Sequence, residues 1–177
     1  MSRLCGHCPD NLLQPSRLVR KFAPKIREAA GRVPILDVAC GTGRNGIFLS
    51  QLGCDVVCAD KNLERFEGHQ WRRLRVVKLD FLADPWPFGH RTLGGIVDVH
   101  FLSFRLLPLF EKSLIPGGYL LLETVPGHGG NYLELPRAGM IKEILQSGFQ
   151  LEFYKEHYVG PENYKAVTVQ ALAKRIS

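Results

Sequence analysis

The apolar run Ile35-Leu36-Asp37-Val38 passes directly into Ala39-Cys40-Gly41-Thr42-Gly43-Arg44-Asn45-Gly46, and this junction constrains the fold more than any other stretch of the chain. Gly41, Gly43 and Gly46 permit a turn too tight for side chains. The residues that follow take up a helical pattern, with Ile47, Phe48 and Leu52 on one side. A second apolar run, Cys54 to Ala59, ends in Asp60, nineteen residues after Gly41. A strand, a glycine turn, a helix and a carboxylate closing the next strand together describe a site for a nucleotide-like cofactor, with the carboxylate on the ribose. The Gly-x-Gly-x-x-Gly spacing alone also fits a dinucleotide. Asp37, four residues before Gly41, favours a cofactor with an amino-acid end.

Strand and helix patterns alternate along most of the chain. Ser16 caps a helix carrying Leu18, Phe22 and Ile26, with Pro24 inside it. Strands are expected at Ile35 to Ala39, Cys54 to Ala59, Val76 to Leu79, Ile96 to Val99 and Tyr119 to Val125. Helices are expected at Asn45 to Leu52, at Phe104 to Leu114, and from Pro136, as first residue, to Gln146. A short helix or turn is expected at Leu63 to Gly68, and a loop at Asp84-Pro85-Trp86-Pro87. Phe149 to Val159 and Lys165 to Ala173 read as a hairpin through Gly160-Pro161-Glu162-Asn163. The pattern implies an α/β fold, a mostly parallel sheet with helices on both faces and one antiparallel strand near the end. Residues 1–15 read as an N-terminal extension and 16–177 as one domain.

Asp37-Val38-Ala39-Cys40-Gly41-Thr42-Gly43 resembles the first motif of the Rossmann-like, class I S-adenosylmethionine-dependent methyltransferases, with Ala39 where the family usually has glycine. The resemblance implies a three-layer sandwich around a seven-stranded sheet with the last strand antiparallel. It implies a cofactor site formed by Asp37, Ala39, Cys40, Gly41, Gly43 and Asn45, with S-adenosylhomocysteine as product. By the same resemblance Asp60, beside Lys61, accepts from both ribose hydroxyls. Asp80, in Leu79-Asp80-Phe81, reads the adenine amino group with Phe81 against the ring. Val99 and His100 stand near the sulfonium, and Pro116-Gly117-Gly118 is the turn into the fifth strand. Pro15-Ser16-Arg17, Asp84-Pro85-Trp86-Pro87 and Leu106-Leu107-Pro108 are similar to the small bacterial tellurite-resistance-type methyltransferases.

Methyl transfer from a sulfonium needs an aligned acceptor more than a covalent nucleophile. His100 is the candidate base, with packing at a strand end as its alternative role. His128 and Tyr132, on the glycine-rich loop after strand five, are candidate acceptor-side residues. Asp98-Val99-His100-Phe101 lacks the Asn/Asp-Pro-Pro-aromatic signature of enzymes that methylate adenine amino groups and some glutamines. The nearest cysteine, Cys58, is on another strand, which argues against cytosine-carbon chemistry. A small-molecule acceptor, such as one presenting S, Se or Te, is the reading that remains. A non-catalytic S-adenosylmethionine sensor or partner subunit is one alternative, and an RNA methyltransferase is another.

Charge bears on that last alternative. The chain carries a formal net charge of +6, with basic residues clustered at Arg17, Arg20, Lys21, Lys25 and Arg27 and at Trp71-Arg72-Arg73-Leu74-Arg75. Solvated surfaces account for both clusters, and nucleic acid is the second choice of partner. Five cysteines, three of them on or beside apolar strands, suit free thiols in a reducing compartment rather than a disulfide framework. Cys5-Gly6-His7-Cys8 has zinc-like spacing but no second pair, so no metal site is assigned. With neither a leader-like segment nor a membrane-length apolar run, the expected location is cytoplasmic.

Overall fold

Alternation along the strands sends successive side chains to opposite faces of one sheet, and both faces are covered. The computed structural model describes residues 14–66, 72–127 and 130–177. The strands are β1 (Ile35–Val38), β2 (Val56–Asp60), β3 (Leu74–Lys78), β4 (Leu93–Val99), β5 (Leu114–Glu123), β6 (Phe149–Tyr158) and β7 (Val167–Arg175). They form one seven-stranded sheet in the order β3-β2-β1-β4-β5-β7-β6. β7 alone runs antiparallel to its neighbours β5 and β6. The expected sheet and its reversed last strand are therefore present.

The helices α1 (Arg17–Ala30) and α2 (Arg44–Gln51) cover one face, burying Ile26 and Leu49 with Ile35, Val56, Val97 and Leu121. On the other face α3 (Leu107–Ser113) and α4 (Met140–Leu145) bury Phe110 and Ile141 with Leu36, Ile96, Leu120 and Leu122. The result is the expected three layers. Ser16 caps α1 by accepting from the Leu18 N–H at 3.0 Å. No helix among the described residues is long and apolar enough to cross a membrane.

Several boundaries differ from the sequence reading, each for a tertiary reason. β4 takes in Gly94 and Gly95 instead of starting after them, because α1 presses on the sheet there. A Cβ at Gly94 would stand 2.6 Å from that of Ala30. The Phe104 to Leu114 helix divides into a 3₁₀ turn, Phe104–Leu106, and α3, which places Pro108 in a first turn that needs no N–H from it. β5 begins at Leu114, five residues early, since Leu114 pairs with Leu93 before Tyr119 pairs with Gly95. The helix expected from Pro136 starts only at Met140. Pro136 O instead accepts from Val167 N at 2.9 Å and Arg137 bridges to Ala166, so this stretch is held extended against β7. Leu63 to Arg65 forms a turn, and Gly68 lies outside the described residues.

Candidate active site

The carboxyl ends of β1, β2 and β4 converge around the glycine turn. β1 leaves the sheet at Val38, and Ala39 turns the backbone into the left-handed region with φ 48°. That conformation costs a side-chain-bearing residue about 1–2 kcal/mol, and the smallest such residue fills it. Cys40 N still donates to Ala59 O at 3.1 Å, and Gly43 N closes the turn onto Cys40 O at 2.9 Å. Gly41 N then donates to Asp60 Oδ2 at 2.8 Å, and Asn62 N to Asp60 Oδ1 at 2.9 Å. The Asp60 carboxylate is thus fixed by one donor on each oxygen, and each oxygen retains acceptor capacity for a ligand.

Asp37 lies beneath this turn, 1% exposed, and accepts from Gly46 N at 2.8 Å. Burial pushes its carboxyl up to about 7, against the opposing pull of the Gly46 hydrogen bond and the Arg44 charge. Gly46 is required here by close approach: an added Cβ would collide with the Cys58 thiol and stand 3.1 Å from Asp37 Oδ2. The Cys58 thiol is itself pushed up, first by its hydrogen bond with Cys40 and then by burial. Cys40, Cys54 and Cys58 are all buried free thiols, as expected.

Beside Asp60, an open cleft of about 700 Å³ is lined by Lys61, Asn62, Leu63, Glu64, Lys78, Asp80 and Asp84. Asp80 Oδ1 accepts from Leu82 N at 2.9 Å, which fixes the bend after β3. Phe81 does not line this cleft. It is buried against Trp86 and Phe101, ring centroids 6.0 Å away in each case, and borders a separate cavity of about 280 Å³ with Leu79, Pro85 and Leu106. Trp86 is anchored by donating to Ser113 Oγ at 2.9 Å, which gives the Asp84-Pro85-Trp86-Pro87 loop its place on the α3 side.

At the end of β4, Val99 is buried and His100 is exposed with φ 65°, the left-handed region again. His100 N donates to Glu123 O at 2.7 Å. The Glu123 carboxylate accepts from Ser16 Oγ and from Gln170 Nε2, the latter at 2.7 Å. Ser16 N donates to Asn45 Oδ1 at 2.9 Å, and Arg44 Nη1 to Gln14 O at 3.3 Å. The segment before α1 therefore ties the start of α2 to the end of β5. Sequence reasoning placed Asn45 beside the cofactor and read Glu123, at the end of strand five, as structural, without its partners Ser16 and Gln170. The available signal was a single charge closing the apolar run Tyr119 to Leu122.

Asp98 was also missed, although it too is a single charge within an apolar run. It is 1% exposed, and its Oδ1 has no hydrogen-bond partner among the described residues. Burial, and then the Asp37 charge, hold it well above the ordinary carboxylate range. Tyr132 packs on the β6–β7 hairpin, against Tyr164 at 5.0 Å between centroids and over Gly160. His128 and the Cys5, His7 and Cys8 cluster lie outside the described residues.

Comparison with known proteins fits this geometry. The family model of the tellurite resistance protein TehB matches residues 24–71, the stretch that holds β1, the glycine turn, α2 and β2. None of the curated proteins matches. A TehB-like S-adenosylmethionine-dependent methyltransferase from Corynebacterium glutamicum superposes with a TM-score of 0.60 at 22% identity, over 86% of each chain. TehB from Haemophilus influenzae gives 0.62 at 19% identity, over 88% of this chain and 62% of that one. The 1,6-didemethyltoxoflavin-N1-methyltransferase of Burkholderia thailandensis, solved with 1,6-didemethyltoxoflavin and S-adenosylhomocysteine, gives 0.60 at 17%, over 91% and 79%. The chain thus has the Rossmann-like fold of the class I S-adenosylmethionine-dependent methyltransferases, and over residues 24–71 it is similar to TehB.

Proposed function

We propose that this chain is an S-adenosylmethionine-dependent methyltransferase acting on a small-molecule acceptor. The observation that carries the reading is the clamp between Gly41 N and Asp60 Oδ2 at 2.8 Å, which joins the glycine turn to the carboxylate of the neighbouring strand. A nucleoside with an amino-acid tail fits the residues around it. Asp60 has acceptor capacity for two ribose hydroxyls, and Asp80 borders the adjoining cleft where an adenine amino group would be read. The backbone from Ala39 to Gly43, held from below by Asp37, and the first turn of α2 with Asn45 would take the amino-acid end. When bound, the cofactor supplies an activated methyl group. The chain's own contribution is to hold an acceptor in line near Val99 and His100, an alignment worth roughly 7–11 kcal/mol. Similarity to an N-methyltransferase that binds a small heterocycle supports this class of acceptor.

A specific observation keeps an RNA acceptor as the second reading. Lys61 and Lys78 line the cleft, and Arg72, Arg73 and Arg75 are exposed at the same sheet edge. RNA binding that weakens steeply with salt, and weakens further on charge reversal at Arg72 and Arg73, is its signature.

Thermal unfolding with S-adenosylmethionine, S-adenosylhomocysteine or NAD in excess tests the main reading. At a hundred times its dissociation constant a ligand stabilises by about 2.7 kcal/mol, or roughly 5–11 °C for a chain of this size. A shift with both sulfur compounds and none with NAD is expected. A shift with NAD alone overturns the reading.

A further inference from the structure

We propose that Glu123 positions the methyl acceptor and that the acceptor is an alkyl amine nitrogen. The inference rests on the methyltransferase reading above and names the substrate class of that same site. Strand register sets Glu123 beside Val99, and the hydrogen bond from His100 N extends the pairing beyond it. β4 alone separates it from β1, so Glu123 stands two strand spacings, roughly 10 Å, from the end that carries the glycine turn. A methyl group carried above β4 would stand one strand spacing from the end of β5 that carries Glu123.

Support for the α1 cap explains part of the arrangement but not the charge. Ser16 Oγ needs a single acceptor, and a neutral side chain would supply it. Glu123 instead closes a buried apolar run with a half-buried charge, and both of its donors, Ser16 Oγ and Gln170 Nε2, are neutral. The ion pairs among the described residues, Lys25–Glu152, Arg73–Asp55 and Arg175–Glu111, do not include it. A half-buried carboxylate held only by neutral donors keeps its charge available to a ligand that brings a positive one. The rotamer is fixed from β7 by Gln170 and from α1 by Ser16, and Ser16 is tied to Asn45 on α2. The position of the charge is therefore tied to the helix that follows the glycine turn.

The chemistry gives this charge a direction. A neutral amine attacks with its lone pair, the N–C bond forms, and the C–S bond breaks with its pair remaining on sulfur. The positive charge moves from sulfur to nitrogen, the product leaves as a methylammonium, and no proton has to be removed in the step. A carboxylate that accepts an N–H from this nitrogen binds more strongly as the nitrogen becomes cationic, so it favours the transition state over the ground state. The same carboxylate repels a thiolate or an oxyanion and so selects against them.

The test is S-adenosylhomocysteine formation by the purified chain with benzylamine, N-methylbenzylamine, benzyl mercaptan or selenite, alongside direct S-adenosylhomocysteine binding. Turnover of the amines, rising with pH as they lose their proton, and none of the thiol or selenite is expected. Glu123→Gln keeps the shape and an acceptor oxygen. It is expected to lower kcat for the amines by roughly ten- to a hundredfold, the scale of a lost charge-assisted hydrogen bond. Melting temperature should fall by a few degrees, because one of the two accepting oxygens is lost, while cofactor affinity stays near that of the parent. Unchanged amine turnover in Glu123→Gln, turnover of thiol or selenite in place of amines, or no turnover of either amine by a chain that binds S-adenosylhomocysteine overturns the proposal. Failure to bind S-adenosylhomocysteine overturns the methyltransferase reading itself. Should Glu123→Gln not fold, the acceptor comparison on the parent chain still decides.

Discussion

Gly46→Ala tests how tightly α2 seats on the sheet. In an open helix this change stabilises by about 1 kcal/mol through helix propensity. Here the new Cβ would collide with Cys58 Sγ and come within 3.1 Å of Asp37 Oδ2 and 3.4 Å of Val56 Cγ1. Overpacking of this kind costs about 1–3 kcal/mol. Displacing α2 also stretches the buried bond from Gly46 N to Asp37, a charge-assisted contact on the scale of about 1.5–3 kcal/mol. With the propensity gain subtracted, a net loss of about 1.5–5 kcal/mol is expected, or roughly 3–20 °C in melting temperature. Urea unfolding of the parent, Gly46→Ala, Cys58→Ala and the double variant measures it. Cys58→Ala alone should cost about 1 kcal/mol for one buried heavy atom, and in the double variant the new methyl occupies the vacated space. A favourable coupling of about 1–3 kcal/mol is expected between the two sites. A Gly46→Ala variant as stable as the parent, or a cycle without coupling, refutes the packing argument.

Three further outcomes are expected. Ala39→Gly should stabilise the chain by up to about 1 kcal/mol, because glycine relieves the left-handed φ of 48° at that turn; a loss of more than that in urea unfolding contradicts the turn geometry. Asp60→Ala should weaken S-adenosylhomocysteine binding by roughly 1.5–3 kcal/mol in calorimetry, and a folded variant that binds normally places the ribose elsewhere. Asp37 sits near pH 7 in the folded chain against an ordinary 3.8, so the native state binds more protons between those values and stability falls as pH rises through that window. Asp98 is shifted in the same direction. Asp37→Asn keeps an acceptor for Gly46 N and should flatten the decline between pH 5 and 7.5, whereas an unchanged slope assigns it to other groups.

Local physics is enough to make parts of this protein legible in its sequence. Apolar runs of strand length, the three glycines and the carboxylate closing the second run fix β1, the turn, α2 and Asp60, since each depends on neighbours a few residues away or on a short, stereotyped crossover. The reversed β7 follows from its hairpin. What the sequence left undecided depends on groups brought together from far along the chain. Pro136 looks like a helix start until Val167 claims its carbonyl, and Gly94 looks like a strand breaker until Ala30 is seen pressed against it. The roles of Ser16, Asn45, Glu123 and Gln170 likewise emerge only as a set, because a hydrogen-bond network spanning more than 150 residues has no period or motif to betray it. Sequence alone determined the frame and the end of the sheet at which a cofactor would sit. Tertiary structure decided which carboxylates are buried and which groups meet them, because burial is a property of everything packed around a group and not of the group itself.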